Sequence, residues 1–321
     1  MAMKPKLLVT RRLPPAVTER LQGDYDAIVN PDDHIMTPDE IVAKAQGHDA
    51  LLVTPADKIN AALIERLPAT VKMIATFSVG YEHIDLEACK QRKLPVSNTP
   101  DVLTAATADI TLLLMLGAAR RAYEGERAVR EANWKSWSTT YMLGVHVTGK
   151  RLGIFGMGRI GQAVAKRARA FDMAVHYSNR RRLPHDLEEG AIFHKDPEDL
   201  LAHSDFFSIN APASAETQRW LNAERIAKLP NGAVVINTAR GALVDDAALI
   251  AALKSGKLFA AGLDVYEGEP NLNPAYRELT NVFLLPHLGS ATVETRNAMG
   301  FKALDNLDAF FAGQPLLDRV A

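Results

Sequence analysis

The sequence predicts an α/β fold built from two doubly wound parallel sheets. Three observations point there. Short apolar runs recur along both halves of the chain, helical patterns lie between them, and a glycine motif opens the second series. With 321 residues the chain has room for two domains, since single cores stop growing at roughly 250 to 300 residues.

The first series of strands is KLLVT (6–10), DAIV (26–29), ALLV (50–53), MIATF (73–77) and PVSN (95–98). Within it, Thr37-Pro38-Asp39-Glu40 marks a helix start: Thr37 can cap, Pro38 suits the first helical position and Glu40 completes a capping box. A long helix is expected from about Asp101 to Arg121, with apolar residues too dense for a one-sided surface helix, so it reads as a buried bridge between domains. Its most apolar part, ITLLLMLGAA (110–119), is far short of the ~20 residues that span a bilayer. After a polar stretch bearing Trp134 and Trp137, a second series runs through RLGIFG, MAVHY, DFFSIN, AVVINT, AAGLDV and VFLLPH. From about Ser290 to Ala321 the pattern is helical, with no strand of its own, and this segment could pack back on the first domain.

Composition narrows the functional classes. The chain is 47% hydrophobic and 23% charged, with a net charge of −1, which supports a sizeable core and argues against nucleic acid or a membrane surface as partner. The lone Cys89 excludes an internal disulfide and a clustered cysteine metal site, and fits a reducing compartment. MAMKPKLLVTRR returns to charge too soon for a secretory signal, so the expected location is the cytoplasm, and no metal is called for.

Gly156-Met157-Gly158-Arg159-Ile160-Gly161 follows the strand RLGIF and precedes a helix with Ile160, Val164, Ala168 and Phe171 at helical spacing. In that context the pattern is a dinucleotide fingerprint. Gly156 allows the tight turn, Gly158 the approach of backbone to pyrophosphate, and Gly161 the contact of helix with strand. An acidic residue for the ribose diol of NAD is expected about 20 residues on. HYSNRRRLP (176–184) puts Asn179, Arg180, Arg181 and Arg182 there instead. Asn179 is neutral, and Arg180 and Arg181 can make charge-assisted bonds to a 2′-phosphate, so NADPH is the expected cofactor and NADH the alternative. Which arginine meets the phosphate is open, although Arg182 lies furthest along.

Three later strands end on residues able to do chemistry. VVINTARG delivers Arg240, GLDVYEGEP delivers Glu269, and VFLLPH delivers His287. Ligands of open parallel sheets lie beyond the carboxyl ends of strands, so these side chains can converge. Hydride addition to a ketone makes an alkoxide that needs a proton, which a His287 imidazolium can give. Glu269 would favour that charged form and orient the ring, and Arg240 would grip a carboxylate and polarise the adjacent carbonyl. The set selects a small 2-keto acid. FSVGYEHID places Ser78, Val79 and Gly80 after a strand, where backbone amides could hold the carboxylate, and LLVTPADKI presents Val53 and Thr54 at another strand end.

These residues resemble the D-isomer-specific 2-hydroxyacid dehydrogenase family over essentially the whole chain. FSVGYEHIDL, TPDVLTAATAD, GIFGMGRIGQAVA, INTARGALVDDAAL, AAGLDVYEGEP and LLPHLGSAT fall in family order. The chain is most similar to the glyoxylate/hydroxypyruvate reductase branch, which includes 2-ketogluconate reductases and in which NRR accompanies NADPH. The resemblance implies a Rossmann cofactor domain, 101–289, inserted into a flavodoxin-like substrate domain made of 1–100 and 290–321. It implies Arg240, Glu269 and His287 as the catalytic set, and Val79 and Gly80 on the substrate carboxylate. Thr107, Arg159, Ile160, Asn210, Pro212, Thr217, Thr238, Asp264 and Gly289 would approach the cofactor. It also implies a homodimer, with Trp137 reaching the partner's site, and Glu269 argues against formate, because formate-oxidising relatives carry Gln there. Two rivals remain: a dinucleotide-sensing, corepressor-like binding protein, and an NAD-linked dehydrogenase of another hydroxy acid or of a phosphonate-type substrate.

Overall fold

The structure is a computed structural model that describes residues 3–321. The first two residues of MAMKPKLLVTRR, read above for a leader, lie outside the described residues. The chain divides into two compact units, Met1–Leu103 with Thr292–Ala321, and Thr104–Ala291.

In the first unit β1 (Lys6–Val9), α1 (Pro15–Asp24), β2 (Asp26–Val29), α2 (Pro38–Lys44), β3 (Ala50–Val53), α3 (Ala61–Arg66), β4 (Met73–Thr76), α4 (Leu86–Gln91) and β5 (Val96–Ser97) alternate. The strands form one parallel sheet in the order β2-β1-β3-β4-β5. Successive residues go to opposite faces, and both faces are covered. Leu7, Val9, Leu52 and Ala75 pack with Val17, Leu21 and the helix Val293–Phe311, while Leu8, Leu51, Val53 and Ile74 pack with Ile41, Leu63 and Ile64. Burial on both sides is why these strands read as unbroken apolar runs. The capping box is formed as expected: Glu40 N donates to Thr37 Oγ1, and Thr37 N donates to the Glu40 carboxylate.

The last segment departs from the expectation of helix alone. Its helix ends at Phe311, and beyond it Arg319 pairs antiparallel with Ser97 while Val96 exchanges backbone hydrogen bonds with Val320 and Ala321. The edge strand β5 carries unpaired backbone groups that the passing chain satisfies, an arrangement that helical periodicity does not signal.

The second unit holds α5 (Thr104–Ala119), α6 (Ala122–Arg130), β6 (Arg151–Phe155), α7 (Arg159–Arg169), β7 (Ala174–Ser178), α8 (His185–Glu188), β8 (Ile192–Phe193), α9 (Pro197–Ala202), β9 (Phe206–Ile209), α10 (Ala223–Lys228), β10 (Ala233–Asn237), α11 (Asp246–Ser255), β11 (Leu258–Leu263) and β12 (Val282–Leu284). Its seven strands are parallel in the order β12-β11-β10-β9-β6-β7-β8, so the strand order reverses between β6 and β9. Leu152, Ile154, Val175, Val234 and Ile236 face α5 and α7, while Phe207, Ile209, Val235 and Leu263 face Ile226, Leu249 and Leu253. The short edge strand β8 was not expected, because two residues carry no periodicity. Among the described residues no helix is long and apolar enough to cross a membrane.

Three histidines meet beside that edge. His176 of β7 is 6% exposed, its Nδ1 lies 2.9 Å from His194 Nε2, and its ring stacks on that of His203 with centroids 5.2 Å apart. Burial, then the neighbouring rings and Arg151, push the His176 imidazole down to about 4, against a weaker pull from Asp205; burial also lowers His194. An unfolded chain therefore binds more protons than the folded one between the unfolded His value of about 6.5 and about 4, and stability falls as pH drops through that window. Thermal midpoints at pH 5 and pH 7.5 should accordingly differ less in His176→Phe than in the unsubstituted protein. Equal differences in the two proteins would show that the cluster is not a source of acid sensitivity.

Candidate active site

The glycine loop sits at the point where strand order reverses. Gly156 has φ +97°, and a Cβ there would lie 2.5 Å from Ala211 N, just past the end of β9, so both the turn and the close approach require glycine. A Cβ on Gly161 would lie 2.6 Å from Gly156 O and 3.2 Å from Ile154 Cγ2, which ties α7 to β6. Gly158 faces open space, and no side chain caps α7 there. Uncapped first-turn amides on an eleven-residue helix, behind an unobstructed backbone, suit a pyrophosphate. Beside them Asn210 accepts from Ser208 Oγ at 2.8 Å through Oδ1, while its buried Nδ2 has no hydrogen-bond partner. A buried donor left open at this spot fits a bound dinucleotide.

Several other expected cofactor residues are joined to one another. Thr107 Oγ1 donates to Gly289 O at 3.1 Å, Gly289 N donates to Asp264 Oδ2 at 2.8 Å, and Thr111 links Thr107 O to the Thr238 hydroxyl. Thr217 Oγ1 donates to Pro212 O and closes the turn after β9. Arg159 and Ile160 open α7. At the end of β7, Asn179 Oδ1 accepts from Met157 N at 2.6 Å, so this side chain is engaged with the glycine loop. Arg182 is paired with Glu188, whereas Arg180 and Arg181 are exposed and have no hydrogen bond or ion pair among the described residues.

The three chemical residues are mounted on strand ends. His287 follows β12 with φ +56°, a conformation that side chains other than glycine adopt at a cost. Three bonds to one residue hold it: His287 N donates to Asp264 O at 2.9 Å, Leu288 N to Asp264 Oδ1 at 2.6 Å and Gly289 N to Oδ2. Burial lifts the Asp264 carboxyl above its usual range even though two amides favour its charge. His287 Nδ1 lies 2.7 Å from Glu269 Oε2, and a carboxylate can only accept, so Nδ1 carries the proton and Nε2 is left for a ligand. Tyr266 N donates to Glu269 Oε1 at 2.8 Å. Burial opposes ionisation of Glu269, but His287, the Tyr266 amide and Arg240 outweigh it and hold the carboxyl below its usual value. Arg240 follows β10, on a turn fixed by the buried Asn237, whose side chain accepts from Ala239 N and donates to Arg240 O at 2.9 Å. Sequence reasoning missed Asn237; its signal is an amide side chain closing the apolar run AVVIN.

In the first unit, Val53 ends β3 and Val79 and Gly80 lie in the turn after β4. Asn98 Nδ2 donates to Val79 O and Ser78 Oγ to Gly80 O, whereas the amides of Val79 and Gly80 have no hydrogen bond among the described residues. Held carbonyls and open amides are what a carboxylate would use.

Comparison with known proteins agrees with this chemistry. Residues 112–289 match the model of the D-isomer specific 2-hydroxyacid dehydrogenase NAD binding domain. The chain is 46% identical over 312 residues to a glycerate dehydrogenase of Hyphomicrobium methylovorum, covering 97% of each, and 41% identical to a glyoxylate reductase of Thermococcus litoralis, covering 97% of this chain and 95% of that one. Among solved structures it resembles an NADPH-dependent glyoxylate/hydroxypyruvate reductase of Sinorhizobium meliloti in complex with NADP and malonate. That likeness has a TM-score of 0.89 and 33% identity, and covers 99% of this chain and 97% of that one.

The glycine geometry separates binding from stability. Gly158→Ala should leave the thermal midpoint within about 2 °C, because its Cβ meets nothing, yet weaken dinucleotide affinity about 10-fold or more by titration calorimetry. Gly156→Ala should lower the midpoint itself. Unchanged affinity in Gly158→Ala would remove the pyrophosphate from this loop.

Proposed function

Because the chain belongs to the D-isomer specific 2-hydroxyacid dehydrogenase family of NAD(P)-dependent oxidoreductases, we propose that it reduces small 2-keto acids to D-2-hydroxy acids with NADPH in preference to NADH. Glyoxylate and hydroxypyruvate stand foremost among the substrates, and 2-ketogluconate is a further one. The observation that carries the reading is the Glu269–His287 pair, with Nε2 free, on the same sheet end as Arg240. When bound, the nicotinamide supplies the hydride. This chain's residues do the rest: Arg240 binds the substrate carboxylate and polarises the keto oxygen, and in the first unit the amides of Val79 and Gly80 and the strand end at Val53 are proposed as substrate-binding groups. His287 delivers a proton from Nε2 to the alkoxide, and Glu269 keeps the ring oriented. The names of the relatives support the two foremost substrates, since glycerate is the reduced form of hydroxypyruvate.

The NADPH preference rests on β7 ending without an acid open to a ribose diol and with two guanidinium groups that have no ion pair among the described residues. A homodimer is part of the same reading. Val129, Trp134, Trp137 and Leu143, close together in sequence, are each more than half exposed, with Trp137 at 79%, apolar surface that a second copy would cover.

A panel of 2-keto acids, ranked by kcat/KM with NADPH and then NADH, tests the proposal. Glyoxylate and hydroxypyruvate should lead, with NADPH favoured, and no keto acid-dependent loss of NADPH absorbance would overturn it. Arg240→Ala and His287→Ala should each lower turnover by more than about 10²-fold. Glu269→Ala should lower turnover as well, because the imidazole loses the carboxylate that orients its Nδ1–H. Sedimentation at micromolar concentration should give twice the chain mass.

A further inference from the structure

The second unit contains a buried carboxylate that the reaction does not use. Glu188, at the end of α8, has a side chain only 4% exposed. Arg182 grips it with two bonds, Nε to Oε1 at 2.8 Å and Nη2 to Oε2 at 2.9 Å, and Tyr177 Oη donates to Oε1 at 2.6 Å. The Tyr177 hydroxyl in turn accepts from Leu183 N at 3.0 Å, and Tyr177 itself is fully buried in β7. The Arg182 guanidinium also lies 6.0 Å from the centre of the Phe193 ring. Arg182 and Tyr177 hold the Glu188 carboxyl down at about 2, so the pair stays charged throughout the neutral range.

We propose that Glu188 and Tyr177 are positioning residues for cofactor selection: by seizing Arg182 and Leu183 they fix the loop that presents Arg180 and Arg181 to the 2′-phosphate. The inference rests on the NADPH reading above. Geometry supports it from both ends of the loop. Asn179 is tied to Met157 N at 2.6 Å, and residues 182 and 183 are tied to Glu188 and Tyr177, so only Arg180 and Arg181 lie between the anchors. Three adjacent guanidinium groups repel one another and would spread if the loop were loose. Neutralising Arg182 leaves two positive charges to meet a phosphate monoester of about −1.5 to −2. Ordering the loop in advance removes an entropic cost that would otherwise fall on binding.

The test is steady-state kinetics of the full chain with one 2-keto acid and each cofactor in turn, comparing the unsubstituted protein with Glu188→Gln and Tyr177→Phe. KM for NADPH should rise about 5- to 10-fold in both variants, while KM for NADH moves less than about 2-fold. A role confined to stability would move both cofactors together. Tyr177→Phe keeps the buried ring and serves if Glu188→Gln does not fold. An NADPH preference in the unsubstituted protein that both variants retain, or a lower KM for NADPH from a released Arg182, would overturn this proposal alone. Equal use of the two cofactors by the unsubstituted protein would sink the NADPH reading as well.

Discussion

Asp264 is the anchor on which the geometry of the candidate site depends. A carboxylate at the end of an apolar strand, 1% exposed, is unfavourable to bury unless its oxygens are occupied. Here both are occupied by consecutive amides, Leu288 and Gly289, and its own carbonyl takes the amide of His287. Three successive residues are thereby moored to β11, and His287 keeps a backbone conformation it would leave if free. Its ring then meets Glu269 without further adjustment. The bond from Thr107 to Gly289 O extends the same mooring to α5, a largely buried helix whose Thr111 hydroxyl bonds both Thr107 O and the Thr238 hydroxyl.

The coupling of charges in the site follows from that mooring. Glu269 is caught between burial, which favours its neutral form, and His287, the Tyr266 amide and Arg240, which favour its charge; the second group prevails. The site thus holds a carboxylate whose ring partner, His287, must carry a proton on Nδ1, which leaves Nε2 facing away from it. Asn237 holds the turn that carries Arg240 through its bonds with Ala239 N and Arg240 O, and the Arg240 charge in turn favours the charged form of Glu269.

Much of this was legible in the sequence. The capping box at Thr37, the glycine pattern at 156–161 and the strand-end positions of Arg240, Glu269 and His287 are local features, set by spacing along the chain. What escaped was pairing across space. Composition shows three arginines in a row but not that one is matched by an acid six residues later, since Glu188 looks like any solvated residue of a charged turn. Asn179 reads in the sequence only as a neutral residue at the strand end, and its bond to Met157 N is not signalled by spacing. The strand β8 and the pairing of Arg319 with Ser97 were invisible for a related reason: edge pairing uses backbone groups that every residue has.

The bond between Asn179 and Met157 bears on how cofactor use can change over evolutionary time. The contact of 2.6 Å runs from a backbone N–H to a side-chain oxygen, and a carboxylate of the same length supplies that oxygen equally well. Only the weaker contact from Nδ2 to Met157 O, at 3.3 Å, needs the amide. Exchanging amide for carboxylate at 179 therefore keeps the bond from Met157 N, and on the NADPH reading proposed above it would turn the strand end from a phosphate toward a pair of hydroxyls. On that reading a single substitution separates two metabolic currencies, and its cost falls on the Met157 carbonyl, which would lose its donor and face a carboxylate oxygen instead.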